Sequence, residues 1–195
     1  MEYLENPPAE SYCTTGQFGA LDRKYRRNCG PTAMTNLVLT LRARRGETTR
    51  ESPPELFRSI ARLGLRRVYY WNLDLFGRWG GTSDLLSGAY LRAVLKKSGL
   101  RGVRVRPRAR LTEKRLDAAL GRGSLLYLQL RRHPRYGDHH VLCYGAETRV
   151  KDGKRETLLR LADGWAAQPV LLPLKGLKRA YFLEIEPAQE RERGD

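Results

Sequence analysis

The sequence predicts an α+β fold, on three observations. Helical patterns with capping signals dominate the chain up to Gly121. Strand patterns fill the rest of the chain. A Lys151-Asp152-Gly153 turn joins two of those strands into a hairpin. Helices followed by an antiparallel sheet make up the α+β arrangement.

The first 28 residues, rich in Pro, Gly, Tyr and Thr, read as irregular. A helix comes next over Gly30–Arg45, with Pro31 in its first turn, where an N–H is unpaired anyway. Ala33, Leu37, Val38 and Leu41 form its apolar stripe, and Gly46 ends it. A second helix spans Pro53–Leu63, opened by a Ser52/Glu55 capping box and closed by Gly64. Val68–Gly81 reads as a long aromatic loop, of the kind that is often functional in compact domains. A third helix covers Ser83–Ser98 and ends at Gly99. Arg101–Arg108 alternates Val with Arg, as an edge strand does. Thr112 caps a short helix that ends at Gly121. Strands are expected at Leu125–Leu130, His139–Glu147, Glu156–Ala162, Val170–Leu172 and Tyr181–Ile185. The tail from residue 187 to 195 is charged and is expected to fray.

The 195 residues make one domain, with a core over about residues 12–185, and a 41% hydrophobic fraction is enough to fill it. No apolar run is long enough for a membrane helix. The N-terminus lacks the basic and apolar regions of a signal peptide. Cys13, Cys29 and Cys143 are too few for a disulfide framework, and without a Cys-x-x-Cys pair a structural zinc site is not expected. These counts point to a reducing, cytoplasmic setting; secretion would need a signal segment since removed. The net charge of +16 favours acidic partners. Its Arg residues are spread along the chain, so a solvated basic surface is favoured over a specific nucleic-acid site. No metal or cofactor is called for.

Cys29 lies in Asn28-Cys29-Gly30-Pro31-Thr32-Ala33, at a predicted helix start. Unpaired N–H groups and the helix dipole there favour an anion, which lowers a thiol pKa and can hold an oxyanion. Gly30 would let a substrate backbone approach. Read alone, Cys29 would be a small buried hydrophobe. His139 and His140 open a strand, where alternation sends them to opposite faces and does not choose between them. His133 falls in a loop. Asp163 precedes Gly164-Trp165; a carboxylate there can fix a histidine tautomer, and the indole can shield the bond.

These residues resemble a papain-like cysteine peptidase. They resemble more narrowly the bacterial group related to peptidases that remove double-glycine leaders from bacteriocins. The group's Cys-Gly-Pro-Thr-Ala-type segment is matched by Cys29–Ala33. Its histidine precedes an apolar strand and a glycine six positions on, an interval met by His139 and Gly145. Asp163-Gly164-Trp165 is similar to papain's Asn-Ser-Trp. The resemblance implies a nucleophile helix packed on a C-terminal antiparallel sheet and a Cys29/His139/Asp163 triad. Gln17, the one Gln upstream, is the implied oxyanion donor, with Asn28 as the alternative. It also implies acyl transfer: His139 takes the thiol proton, or an ion pair forms first, and water hydrolyses the thioester. The substrate is then a peptide or protein, acidic sequences among them. Transpeptidation, deamidation or other acyl transfer uses the same thioester. A non-catalytic basic binding module is the remaining reading of the charge.

Overall fold

A computed structural model describes residues 12–21, 25–47, 51–71, 80–108, 110–151, 153–177 and 181–187. Its centre is a six-stranded antiparallel sheet in the order β3-β8-β4-β5-β6-β7. These strands are β3 (Arg104–Arg108), β4 (Leu125–His133), β5 (Gly137–Lys151), β6 (Lys154–Ala162), β7 (Val170–Pro173) and β8 (Tyr181–Glu186). The α+β class, the edge position of β3 and the β5–β6 hairpin at Gly153 (φ +69°) all agree with the sequence pattern.

Alternation in β4 and β5 divides the interior in two. Leu125, Tyr127, Leu142 and Tyr144 face one core, shared with the helices α2 (Cys29–Arg44), α3 (Pro53–Arg66) and α4 (Ser87–Lys97). Leu126, Leu128, Val141 and Cys143 face the other, closed by α5 (Glu113–Gly121). The helices therefore cover both faces, with α2, the helix that bears Cys29, packed on the sheet.

Several element bounds also differ from expectation. A short helix, α1 (Thr15–Gly19), interrupts the irregular N-terminal stretch. Thr14 and Gln17 cap it reciprocally. The helix α3 runs on to Arg66, so Gly64 lies inside it and does not close it. Gly64 is there for space: an added Cβ would sit 2.5 Å from the Tyr90 hydroxyl and 2.9 Å from Tyr70 Cβ. The helix α4 starts at Ser87, because Ser83–Leu86 forms a turn in which Ser83 Oγ accepts from the Leu86 N–H. Within the long loop, β1 (Tyr70–Trp71) pairs with β2 (Gly81–Thr82). Residues 72–79 of that loop, and 188–195 of the tail, lie outside the described residues. His133 ends β4, and its Nδ1 accepts from the Arg135 N–H.

One buried carboxylate ties the edge of the sheet together. Glu184 on β8 is paired with Arg122 and, at 3.0 Å, with Arg108. Burial pushes its pKa up, but the hydrogen bonds from Arg122 and Arg108 outweigh that and hold it below the usual range.

Packing and charge can each be tested here. Gly64→Ala should lower the denaturant-unfolding free energy by roughly 1–3 kcal/mol through overpacking. Glu184 has a depressed folded pKa, so its contribution is present above the unfolded value of about 4.3 and fades on acidification. Denaturation of wild type and Glu184→Gln from pH 7 to pH 3 should show the variant less stable at pH 7, with the gap closing in acid. A gap independent of pH contradicts the assignment.

Candidate active site

The chain delivers Cys29 to the first position of α2 by a constrained turn. Arg27 adopts φ +53°, in the left-handed region that costs an L-residue about 1–2 kcal/mol. The Tyr70 hydroxyl donates to the Arg26 carbonyl at 2.6 Å and pins the same turn. Asn28 sits at the N-cap without capping by its side chain. Instead its Nδ2 donates to the Thr15 carbonyl (3.1 Å), and its Oδ1 accepts from Thr32 Oγ1 (3.2 Å). Gly30 has a structural reason not foreseen in the sequence: β2 packs onto it, and an added Cβ would lie 2.6 Å from Thr82 Cβ. Room for β2, rather than for a substrate, requires glycine here.

Cys29 is half-buried at the side of a cleft of about 650 Å³. Asn28, Asp84, His139, His140 and Trp165 share that cleft. A second groove, about 710 Å³, lies by the start of α5, and neither Cys nor His lines it. Burial is the largest influence on the Cys29 thiol and pushes its pKa up, against the expected fall. Backbone N–H groups of His140, Gly30 and Cys29 itself bear on the sulfur and pull the other way, without winning. Asp84 adds a small upward push. The helix start does supply donors, as expected, but desolvation exceeds them. Of the other thiols, burial raises Cys13 and pushes Cys143 up to about 12.

The two histidines part as alternation requires, and each has its own partner. His139 Nε2 lies 2.7 Å from the Asp163 carbonyl oxygen. A carbonyl only accepts, so Nε2 carries the proton. Its ring stacks on Tyr136 at 5.5 Å and meets Trp165 at 5.2 Å. Burial, the largest influence, lowers the His139 pKa and leaves it neutral at pH 7. His140 Nε2 lies 3.3 Å from Asp84 Oδ1. Asp84 also pairs with Arg131 at 2.5 Å. Burial of Asp84 acts upward, but the bonds and charges of His140 and Arg131 outweigh it and hold the carboxyl below its usual pKa.

Asp163 meets His139 as expected, but through its backbone. Its carboxylate is spent elsewhere: Oδ1 accepts from the N–H groups of Trp165 (2.8 Å) and Ala166 (2.9 Å), and Oδ2 from the Tyr136 hydroxyl (3.0 Å). The residue shapes its own turn, and a neutral carbonyl orients the histidine in place of the expected carboxylate. Trp165 does stand beside that bond. Gln17 is exposed, and its Oε1 accepts from the Thr14 N–H at 2.9 Å, which stations the side chain at the α1 cap. Asn28, the alternative donor, lines the cleft. Sequence reasoning missed Asp84. No spacing rule marks it, since it approaches His140 only through the pairing of distant segments.

No family model matches the chain, and neither a curated protein nor a solved structure matches it. Among the described residues, no group of three or more His, Cys, Asp or Glu side chains could hold a metal ion. No helix among them is long and apolar enough to cross a membrane.

A raised thiol pKa and a neutral imidazole make the resting site uncharged at sulfur. Alkylation of Cys29 by iodoacetamide should therefore climb with pH beyond 8 without levelling, when followed by mass spectrometry of the Cys29 peptide. A plateau below pH 7 would mean a preformed thiolate–imidazolium pair.

Proposed function

We propose that the protein is a cysteine hydrolase of peptide or isopeptide bonds, with Cys29 as nucleophile. One observation carries this reading: Cys29 opens α2, and its cleft also holds both histidines. A histidine at the start of β5 takes the thiol proton. The sulfur attacks the carbonyl carbon, and the oxyanion lies at the helix start, where the backbone N–H of Cys29 is the available donor. The same histidine returns the proton to the leaving amine as the C–N bond breaks. Water then hydrolyses the thioester.

The likeness of the Cys29–Ala33 segment and the His139–Gly145 interval to papain-like, bacteriocin-leader peptidases supports the same reading. So does a helix-borne thiol that shares its cleft with histidines from an antiparallel sheet. The charge of +16 favours substrates with acidic residues.

Digestion of a mixed peptide library should create new carboxyl termini with wild type. Cys29→Ala should cut the rate at least about a thousandfold, since only binding and the oxyanion site remain. Equal cleavage by the variant rejects the reading. A labelled primary amine in the same digest separates the outcomes: amide adducts indicate acyl transfer, and free acids alone indicate hydrolysis.

A further inference from the structure

We propose that the groove beside the start of α5 is a docking site for an acidic peptide segment that carries an apolar side chain. The site needs nothing from Cys29 and binds whether or not Cys29 is a nucleophile.

Three stretches of chain build the groove. Residues 110–113 lead into α5, residues 154–157 begin β6 just after the hairpin turn, and a 3-10 helix (Leu174–Leu177) follows β7. They enclose about 710 Å³, within the range of roughly 300–1,000 Å³ usual for ligand sites. Leu111 and Leu177, both buried, and the half-buried Leu174 belong to the core closed by α5, and they give the groove an apolar floor. Arg110, Lys154, Arg155 and Lys175 line it and are exposed.

These four cations differ from the arginines that serve the architecture. Arg42, Arg44 and Arg45 bond carbonyls, and Arg108, Arg122 and Arg131 pair with carboxylates. Among the described residues, the side chains of Arg110, Lys154, Arg155 and Lys175 have no hydrogen bond and no ion pair. Two carboxylates share the groove. Glu113 Oε1 accepts from Thr157 Oγ1 at 2.8 Å, which ties α5 to β6 and makes that carboxylate part of the wall. Glu156 is the other. Four cations thus stand against two carboxylates, beside leucines that keep the local dielectric low. A concave, basic surface of this kind concentrates anions.

The lining selects among anions. A free inorganic anion leaves the leucines uncovered. A nucleic-acid strand needs aromatic platforms for its bases, and no lining residue is aromatic. Glu113 and Glu156 also repel an unbroken row of phosphates. A peptide fits every feature: its carboxylates meet the cations, an apolar side chain covers the leucines, and its backbone N–H groups supply donors to Glu156.

The groove shares no residue with the Cys29 cleft. His139 and His140 stand near the start of β5, while Arg155 pairs with Val150 near its end. The length of the hairpin therefore separates the two sites. A segment docked here is a different part of a partner from any segment lying at Cys29.

Fluorescence anisotropy of a fluorescein-labelled Glu-Glu-Leu-Glu-Glu peptide, titrated with the full chain, tests the site. The salt is set near 0.15 M, where exposed charges more than about 8 Å away are screened. Lys154→Glu/Arg155→Glu/Lys175→Glu should weaken binding at least about tenfold, through like charges set against the peptide. Arg62→Glu/Arg66→Glu/Lys96→Glu makes the same change in net charge at exposed positions of α3 and α4, and should cost less than about threefold. Replacing the peptide's leucine by serine should cost about tenfold, the effect of one buried apolar side chain. Cys29→Ala should bind as wild type does. Equal losses in the two charge-reversed proteins mean attraction by overall charge and overturn the proposal. So does no binding, a serine peptide that binds as well as the leucine peptide, or oligo-dT that binds tighter than the peptide and displaces it. If the groove variant does not fold, amide chemical shifts of wild type decide: peptide should move Thr112, Thr157 and Lys175. Shifts confined to Cys29, His139 and Trp165 place the peptide in the other cleft and overturn the proposal.

Discussion

The site depends on the burial of α2. Every residue from Gly30 to Val38 is buried, as are Thr40 and Leu41, so this helix has no solvent face over most of its length. Polar side chains within it must then be satisfied by the chain itself. Thr35 and Thr40 donate to the carbonyls of Pro31 and Asn36 four residues back. Asn36 accepts from the Cys13 N–H and donates to the Cys13 carbonyl, both at 3.0 Å, tying the segment before α1 to the helix. Asn28 ties the helix start to Thr15. A helix so fixed holds its first residue, Cys29, at a defined point beside β5.

The strand β5 turns that fixed point into a site. A period of two places adjacent residues on opposite faces, so two consecutive histidines cannot serve the same interior. Each finds a different second partner. His139 is wedged among Tyr136, Trp165 and the Asp163 carbonyl, while His140 joins Asp84 below Tyr127. The Asp163 carboxylate is absorbed by the turn after β6, with two backbone donors and a tyrosine on it. With its oxygens engaged in that turn, the carboxylate acts on the imidazole by charge, while the carbonyl makes the hydrogen bond.

Much of the high Arg content also has local work. Arg42, Arg44 and Arg45, at the end of α2, donate to the carbonyls of Ser98, Gly123 and Arg101. Arg108 and Arg122 neutralise Glu184, and Arg131 neutralises part of Asp84. Arginine suits this use because its planar fork bonds several acceptors and never loses its charge. The net charge is therefore partly architectural, and is not in itself a measure of affinity for polyanions.

By itself the sequence determined the local events. Caps, apolar periodicity and turn glycines act within a few residues, which is why α2, α5, the sheet strands and Gly46, Gly99 and Gly153 stand where the pattern puts them. The position of Cys29 at a helix start was legible for the same reason. Tertiary structure alone decided what those residues meet. Gly64 lies inside a helix because two tyrosines crowd it, and Gly30 is needed because β2 packs on it. The Cys29 thiol is raised because burial outweighs the helix donors. His140 meets Asp84 because a turn and a strand separated by some fifty residues come together, and no local pattern encodes a contact between distant segments.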